Sequence, residues 1–328
     1  MRRGERIWCR AGSGHRWERE GNPDTCSRRC IRIHPLADLE PWFSRYNSWS
    51  YSRHRIWNLC RRQYYYQYIG VAIRGPAEPD AFRLKRLKAL RSKYALQGLL
   101  IHEVIENQIG QYQAGKAPDE EEAKARFSRR IGQYRETARE MVTEFYHGHP
   151  EDAAFFDRMR DEGLAKISRF FAVIWPHLQD LMYLKHEEFD RFMLNNVTVT
   201  VKVDYVSRAG DGTIVLTDWK TGEDRDEYES DLQMGIYVLW AMQYYGSDPE
   251  GIRSGLASLL TGTMRSYSFS YEDLWRIKQT ILDDFTAMNA SSAIGAYPAS
   301  PAPGKCMSCP FATVCPESRR GEYVAGKV

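Results

Sequence analysis

The sequence predicts an α/β protein, a mixed central sheet of four or five strands flanked by helices, with a helical insertion over about residues 81–190. Three observations carry this. Val197, Val199, Val201 and Val203 alternate with Thr198, Thr200, Lys202 and Asp204, the period of two of a half-buried strand. Ahead of that segment lies a long stretch of helical spacing. Beyond it, residues 271–289 form a strongly amphipathic helical pattern, so both element types occur within one region.

Taken in chain order, residues 1–35 are rich in Arg and Gly and read as a tail or an extra module ending near Pro35. Tyr64, Tyr65, Tyr66 and Tyr68 suit core packing better than a base-stacking surface. Helical spacing covers 81–115, with Leu96, Leu99, Leu100, Val104 and Ile105 as its apolar positions, then 120–146 and 152–185. The Trp175-Pro176 step should end or kink the last of these. After the valine-rich strand, Ala209, Gly210, Asp211 and Gly212 supply turn chemistry. Residues 214–219 then give the second strand of a hairpin. Residues 232–245 have helical spacing, and 255–260 and 265–269 read as strands before the final amphipathic helix. A Pro-rich link leads to the last cysteines, and no internal repeat is visible.

With 328 residues, 43% of them hydrophobic, the chain can bury one large core or two modest ones. No run approaches the roughly 20 apolar residues of a membrane helix, so a cytoplasmic protein with no membrane partner is expected. The net charge of +3 conceals an asymmetry. Residues 1–100 hold 21 Lys and Arg against 8 Asp and Glu, and the remainder 25 against 35. Such a basic first third suits a phosphate backbone, and equally a solvated face. Seven cysteines fall in two terminal groups, Cys9, Cys26, Cys30 and Cys60, then Cys306, Cys309 and Cys315. Close pairs of this kind point to metal or catalysis, not to a disulfide framework.

Asp204 is expected to share a polar strand face with Thr200 and Lys202, while Asp218 and Lys220, two apart, share a face of the following strand. The turn would then bring two carboxylates and an ammonium to one end of the hairpin. Carboxylate clusters with open positions hold Mg2+ or Mn2+ for phosphoryl chemistry, and a neighbouring lysine orients water or offsets developing charge. An ordinary cross-strand salt bridge would use the same residues. Context favours the chemistry: Asp218-Trp219-Lys220-Thr221-Gly222 follows the turn, and Gln233 and Tyr237, four apart, share a helical face.

These motifs resemble the RecB-like branch of the PD-(D/E)XK nuclease superfamily, whose signatures include Asp-aromatic-Lys-Thr-Gly and Gln-x3-Tyr. The resemblance implies a restriction-endonuclease-like core. It implies metal ligation by Asp204, Asp218 and the Trp219 carbonyl, catalysis by Lys220, and support from Gln233 and Tyr237. His102, in Leu99-Leu100-Ile101-His102-Glu103, resembles the branch's upstream histidine and by that likeness is a further Mg2+ or Mn2+ ligand. Glu106 and Glu187 lie near these motifs without a signature of their own. Lys202 departs from the small residue common two positions before the first Asp.

Cys306-x2-Cys309-x5-Cys315 is a compact soft-ligand loop, and Cys60 can supply a fourth thiolate. Four thiolates suit zinc or an iron-sulfur cluster alike. One early cysteine ahead of a Tyr-rich segment, with C-x2-C-x5-C at the end, resembles the iron-sulfur RecB-type nucleases, including CRISPR-associated RecB-like exonucleases and AddB-type nuclease domains. That likeness spans about residues 48–317 and implies a 4Fe-4S cluster joining the two ends of a domain over 36–320, with 321–328 as a tail. Cys9, Cys26 and Cys30, with His15 or His34, could form a separate zinc site, but their spacing fits no firm pattern and favours an unliganded tail or accessory extension. The expected activity is metal-dependent DNA hydrolysis, with exonuclease action on single-stranded ends, in repair, recombination or CRISPR-type processing. A helicase or CRISPR adaptation proteins are the expected partners. A catalytically silent nucleic-acid-binding protein of the same fold is the alternative.

Overall fold

The computed structural model describes residues 6–11, 16–18, 30–33, 48–73, 80–148, 154–222 and 227–319. The chain forms two compact units, Met1–His54 with Ile174–Ala290, and Arg55–Val173 with Ser291–Val328. The strands, in chain order, are β1 (Arg6–Ala11), β2 (Arg16–Glu18), β3 (Cys30–Ile33), β4 (Ser48–Ser50), β5 (Met182–His186), β6 (Phe189–Leu194), β7 (Val197–Lys202), β8 (Tyr205–Arg208), β9 (Ile214–Lys220), β10 (Ile252–Ser258) and β11 (Met264–Tyr267). The longer helices are α1 (Tyr51–Leu59), α2 (Ala81–Ala89), α3 (Lys93–Gln113), α4 (Glu120–Glu136), α5 (Phe155–Arg169), α6 (Glu227–Tyr245) and α7 (Tyr271–Met288).

The first unit carries the strands. Its five-stranded sheet has the order β11-β10-β9-β8-β5, and β4-β7-β6 and β2-β1-β3 form smaller sheets. β9 and β10 are parallel and the other ladders of the large sheet antiparallel, so this sheet is mixed, as the sequence predicts. α6 makes the crossover that parallel pairing demands. It is apolar on nearly every side, with Leu232, Met234, Ile236, Val238, Leu239, Trp240 and Met242 all buried, as befits a helix enclosed by its neighbours. α7 is different. Ser270 and Asp273 cap its start reciprocally, and Leu274, Ile277, Ile281 and Met288 bury one stripe.

Two expectations need correction here. The valine-rich segment is not one strand paired with 214–219. It ends at Lys202 in the small sheet, and the chain resumes as β8 in the large one, where β8 and β9 make the hairpin. Gly212, at φ +88°, closes that turn through its N–H to the Ala209 carbonyl, a conformation that favours glycine. The helical reading of 152–185 is also too long. Trp175–Leu178 is a short helix with Pro176 in its first turn, and β5 follows.

The second unit is mainly helical. Residues 81–115 are two helices, parted at Leu90, Arg91 and Ser92. α3 buries Leu96, Leu100, Ile101, Val104, Ile105 and Ile109 against Phe127 and Ile131 of α4 and Met159 and Ile167 of α5. Leu99, expected inside, is 46% exposed. α4 ends at Glu136, and two short helical turns carry the chain to Tyr146. Tyr64, Tyr65 and Tyr66 are core residues; Tyr64 packs with Trp57 and Tyr297, Tyr65 with Tyr297, and Tyr66 with Tyr65 and Phe311.

Candidate active site and a cysteine-lined hollow

Two chain segments change sheets in the first unit. β5 of the large sheet gives way to β6 of the small one, and β7 of the small sheet to β8 of the large one. The joints are Glu187 and Asp204. They are tied together: the Glu187 N–H lies 3.1 Å from the Val203 carbonyl and 3.2 Å from that of Asp204. Asp204 therefore stands at a break and not on a continuous strand face with Thr200 and Lys202, which corrects the expected placement. Glu187 adopts φ +51°, a left-handed backbone that a side chain with a Cβ rarely takes. Its carboxylate is buried, pairs with the Lys202 ammonium, and offers an oxygen within 4.8 Å of one from Asp204.

Asp204 is held by β9. Its Oδ2 accepts the Trp219 N–H at 2.8 Å, while the Trp219 indole is fully buried. Asp218, 2% exposed, has its two oxygens in different surroundings. Oδ1 accepts from Gln233 Nε2 at 3.2 Å and lies 3.0 Å from the Tyr237 hydroxyl. Oδ2 has no hydrogen bond of acceptable angle, although Lys220 Nζ lies 2.5 Å away as an ion pair. The Tyr237 hydroxyl accepts from Gln233 Nε2 at 2.8 Å and has one proton to share between Asp218 Oδ1 and the Lys202 carbonyl, 2.9 Å away. Burial, then the charges of Asp218 and Asp204, pushes this phenol well above its ordinary pKa, so Tyr237 is a fixed donor and not a base.

The structure thus brings together Asp204, Asp218, Lys220, Gln233 and Tyr237, all expected from the sequence, and adds Glu187. His102 lies on α3 of the second unit, half-buried, and Glu106 on the same helix is exposed. The neighbouring buried carboxylates of Glu187 and Asp204, with Asp218 close by on β9, fit a divalent cation. Buried carboxylates are costly without compensating positive charge, and hard cations take oxygen ligands.

A model of the PD-(D/E)XK nuclease superfamily matches residues 48–316. The chain belongs to this superfamily. PD-(D/E)XK membership makes it a nuclease by family, a phosphodiester hydrolase with a nucleic acid as substrate. No curated protein matches the chain. Among solved structures it is similar to one described as "Crystal structure of SSO0001", at 11% identity and a TM-score of 0.24, over 53% of this chain and 91% of that one.

The superfamily match also takes in four cysteines of the second unit. Cys60, Cys306, Cys309 and Cys315 line one hollow, with Arg62, Tyr66 and Phe311 among its walls. All four are free thiols. Burial pushes the Cys309 thiol up to about 12 and the Cys315 thiol up to about 11. The proximity of the other three thiols contributes to the same rise at Cys309. A convergent set of soft donors fits a thiolate-ligated metal group. Cys26, His15 and His34 lie outside the described residues, as do the side chains of Cys9 and Cys30. Among the described residues no helix is long and apolar enough to cross a membrane.

Proposed function

We propose that the chain is a Mg2+- or Mn2+-dependent DNA nuclease of the RecB-like iron-sulfur branch, acting as an exonuclease on single-stranded ends. The observation that carries this reading is the juxtaposition of Glu187 and Asp204, where two chain segments change sheets, with Asp218 and Lys220 of β9. Asp204, Asp218, Glu187 and the Trp219 carbonyl would hold the cation, with His102 as the further ligand that the resemblance implies. A bound cation supplies Lewis acidity and a water of lowered pKa. Lys220 sets its ammonium beside Asp218, where it offsets negative charge growing on the phosphoryl oxygens. Gln233 and Tyr237 fix the Asp218 carboxylate by its other oxygen, so that Oδ2 keeps its aim.

Cys60, Cys306, Cys309 and Cys315 would hold the 4Fe-4S cluster. Its part is structural: it would close a loop of about 246 residues and so reduce the freedom of the unfolded chain. DNA repair, recombination or CRISPR-type processing, beside a helicase or adaptation proteins, are the settings consistent with the branch.

The test is a cleavage assay with end-labelled single-stranded DNA, duplex DNA and RNA in Mn2+, run on iron-quantified protein. Wild type should shorten single-stranded DNA from its ends. Lys220→Ala should lower the rate by about 10²- to 10³-fold while the protein stays folded. Cleavage unchanged by this substitution would dismiss the site, and internal cuts alone would dismiss the exonuclease reading.

A further inference from the structure

The register of the small sheet divides its residues between two faces. On one lie Trp49, Val197, Val199, Val201, Phe192 and Leu194, all buried. Ser50, Thr200, Lys202, Arg191 and Phe189 lie on the other. That second face is covered at its far end, where Met193 and Thr198 are buried, and is polar at the other end apart from Phe189, which is 78% exposed. A phenyl ring left in water on a polar face gains nothing in folding, and a lone ring is too small a patch for a stable protein interface.

Its surroundings state what would cover it. Phe189 opens the edge strand β6, two residues beyond Glu187, and stands directly opposite Lys202. Lys202 Nζ lies 5.6 Å from the ring centroid and also pairs with the Glu187 carboxylate. Ring, ammonium and active-site carboxylate are therefore contiguous. Arg191 follows on the same side, opposite Thr200, and Ser50 of β4 flanks Thr200 on its other side. The acid of this strand, Asp190, turns to the other side and pairs with Lys185. An exposed ring between cations and hydroxyls, with no carboxylate among the strand residues of that face, matches a base flanked by phosphates.

We infer that this face is a stacking platform for an unpaired nucleotide of the substrate strand, with Phe189 against the base and Lys202 and Arg191 toward the phosphates. The inference rests on the nuclease reading and narrows it: a paired base offers no free face to the ring, so the platform selects single strands. Phe189 is a binding residue beside the reacting groups and takes no part in the chemistry.

A single-stranded oligonucleotide bearing 2-aminopurine, titrated with the full-length protein in EDTA, tests the platform without cleavage. Phe189→Ala should weaken binding about 5- to 150-fold, the loss of one stacked base, and remove the fluorescence quenching on binding, while Phe189→Trp restores both. Arg191→Ala should lower the salt dependence by about one phosphate contact. Because Phe189 is exposed, its removal leaves the core intact. Equal affinity of wild type and Phe189→Ala, an equal loss on a blunt duplex, or a change in self-association with binding intact would each overturn the inference. Cleavage of the same strand by wild type in Mn2+ is scored separately. A silent wild type that loses binding on Phe189→Ala would refute the nuclease reading, and an active one indifferent to Phe189 would refute the platform alone.

Discussion

Asp218 divides its work between two oxygens, and that division explains why its neighbours are what they are. Gln233 and Tyr237 occupy Oδ1, leaving Oδ2 to face Lys220. These four positions were legible in the sequence because their relations are local: two apart on a strand, four apart on a helix. Glu187 was visible only as an acid near the hairpin, with no signature of its own. Its approach to Asp204 depends on two strands leaving their sheets at one level, which no spacing records. Its left-handed backbone is strain that a functional position tolerates. Glu187→Gly and Glu187→Ala both remove the carboxylate, so their difference isolates the backbone. Urea unfolding should find the glycine variant more stable than the alanine variant by roughly 1 kcal/mol, with both impaired in cleavage. Equal stabilities would mean that the strain is absent.

At the scale of elements, the valine-rich strand and the long helices followed from periodicity, while their boundaries did not. β5 eluded the pattern because Met182, Tyr183, Leu184, Lys185 and His186 do not alternate, and after the exposed Met182 every residue is half-covered. The break at Asp204 was hidden because alternation continues through Val203 although the ladder stops at Lys202. Helix contacts, by comparison, show through small residues. Gly163 on α5 meets the Phe127 ring of α4 so closely that an added Cβ would overlap it. Gly163→Ala should gain helix propensity yet lose more to overpacking, a net destabilisation of about 1–3 kcal/mol in chemical unfolding. A stabilised variant would show that the two helices can separate without cost.

For the molecule as a whole, the cysteine-lined hollow sets a dependence on pH. In metal-free protein the folded Cys309 holds its proton to about 12, against an ordinary value near 9.0. The folded state therefore binds that proton more tightly, and the stability this contributes is complete below about 9 and drains away as pH rises toward about 12. Cys315, raised to about 11, adds the same sign. The urea midpoint of chelator-treated protein should fall between pH 8 and 10.5, and Cys309→Ala should flatten part of that slope. An unchanged slope would mean that the thiol is not buried in the metal-free chain. Loading the thiolates with metal must in turn release protons, so uptake should strengthen as pH rises.

The central claim is that the buried carboxylates bind a divalent ion. Mn2+ titration followed by electron paramagnetic resonance, on wild type and on Asp204→Asn/Asp218→Asn, measures this without any substrate. Wild type should take up Mn2+ with saturation, and the double variant, which keeps an acceptor for the Trp219 N–H, should stay folded by circular dichroism and leave the Mn2+ free. Equal uptake by the two proteins would contradict the assignment of these residues as the metal site.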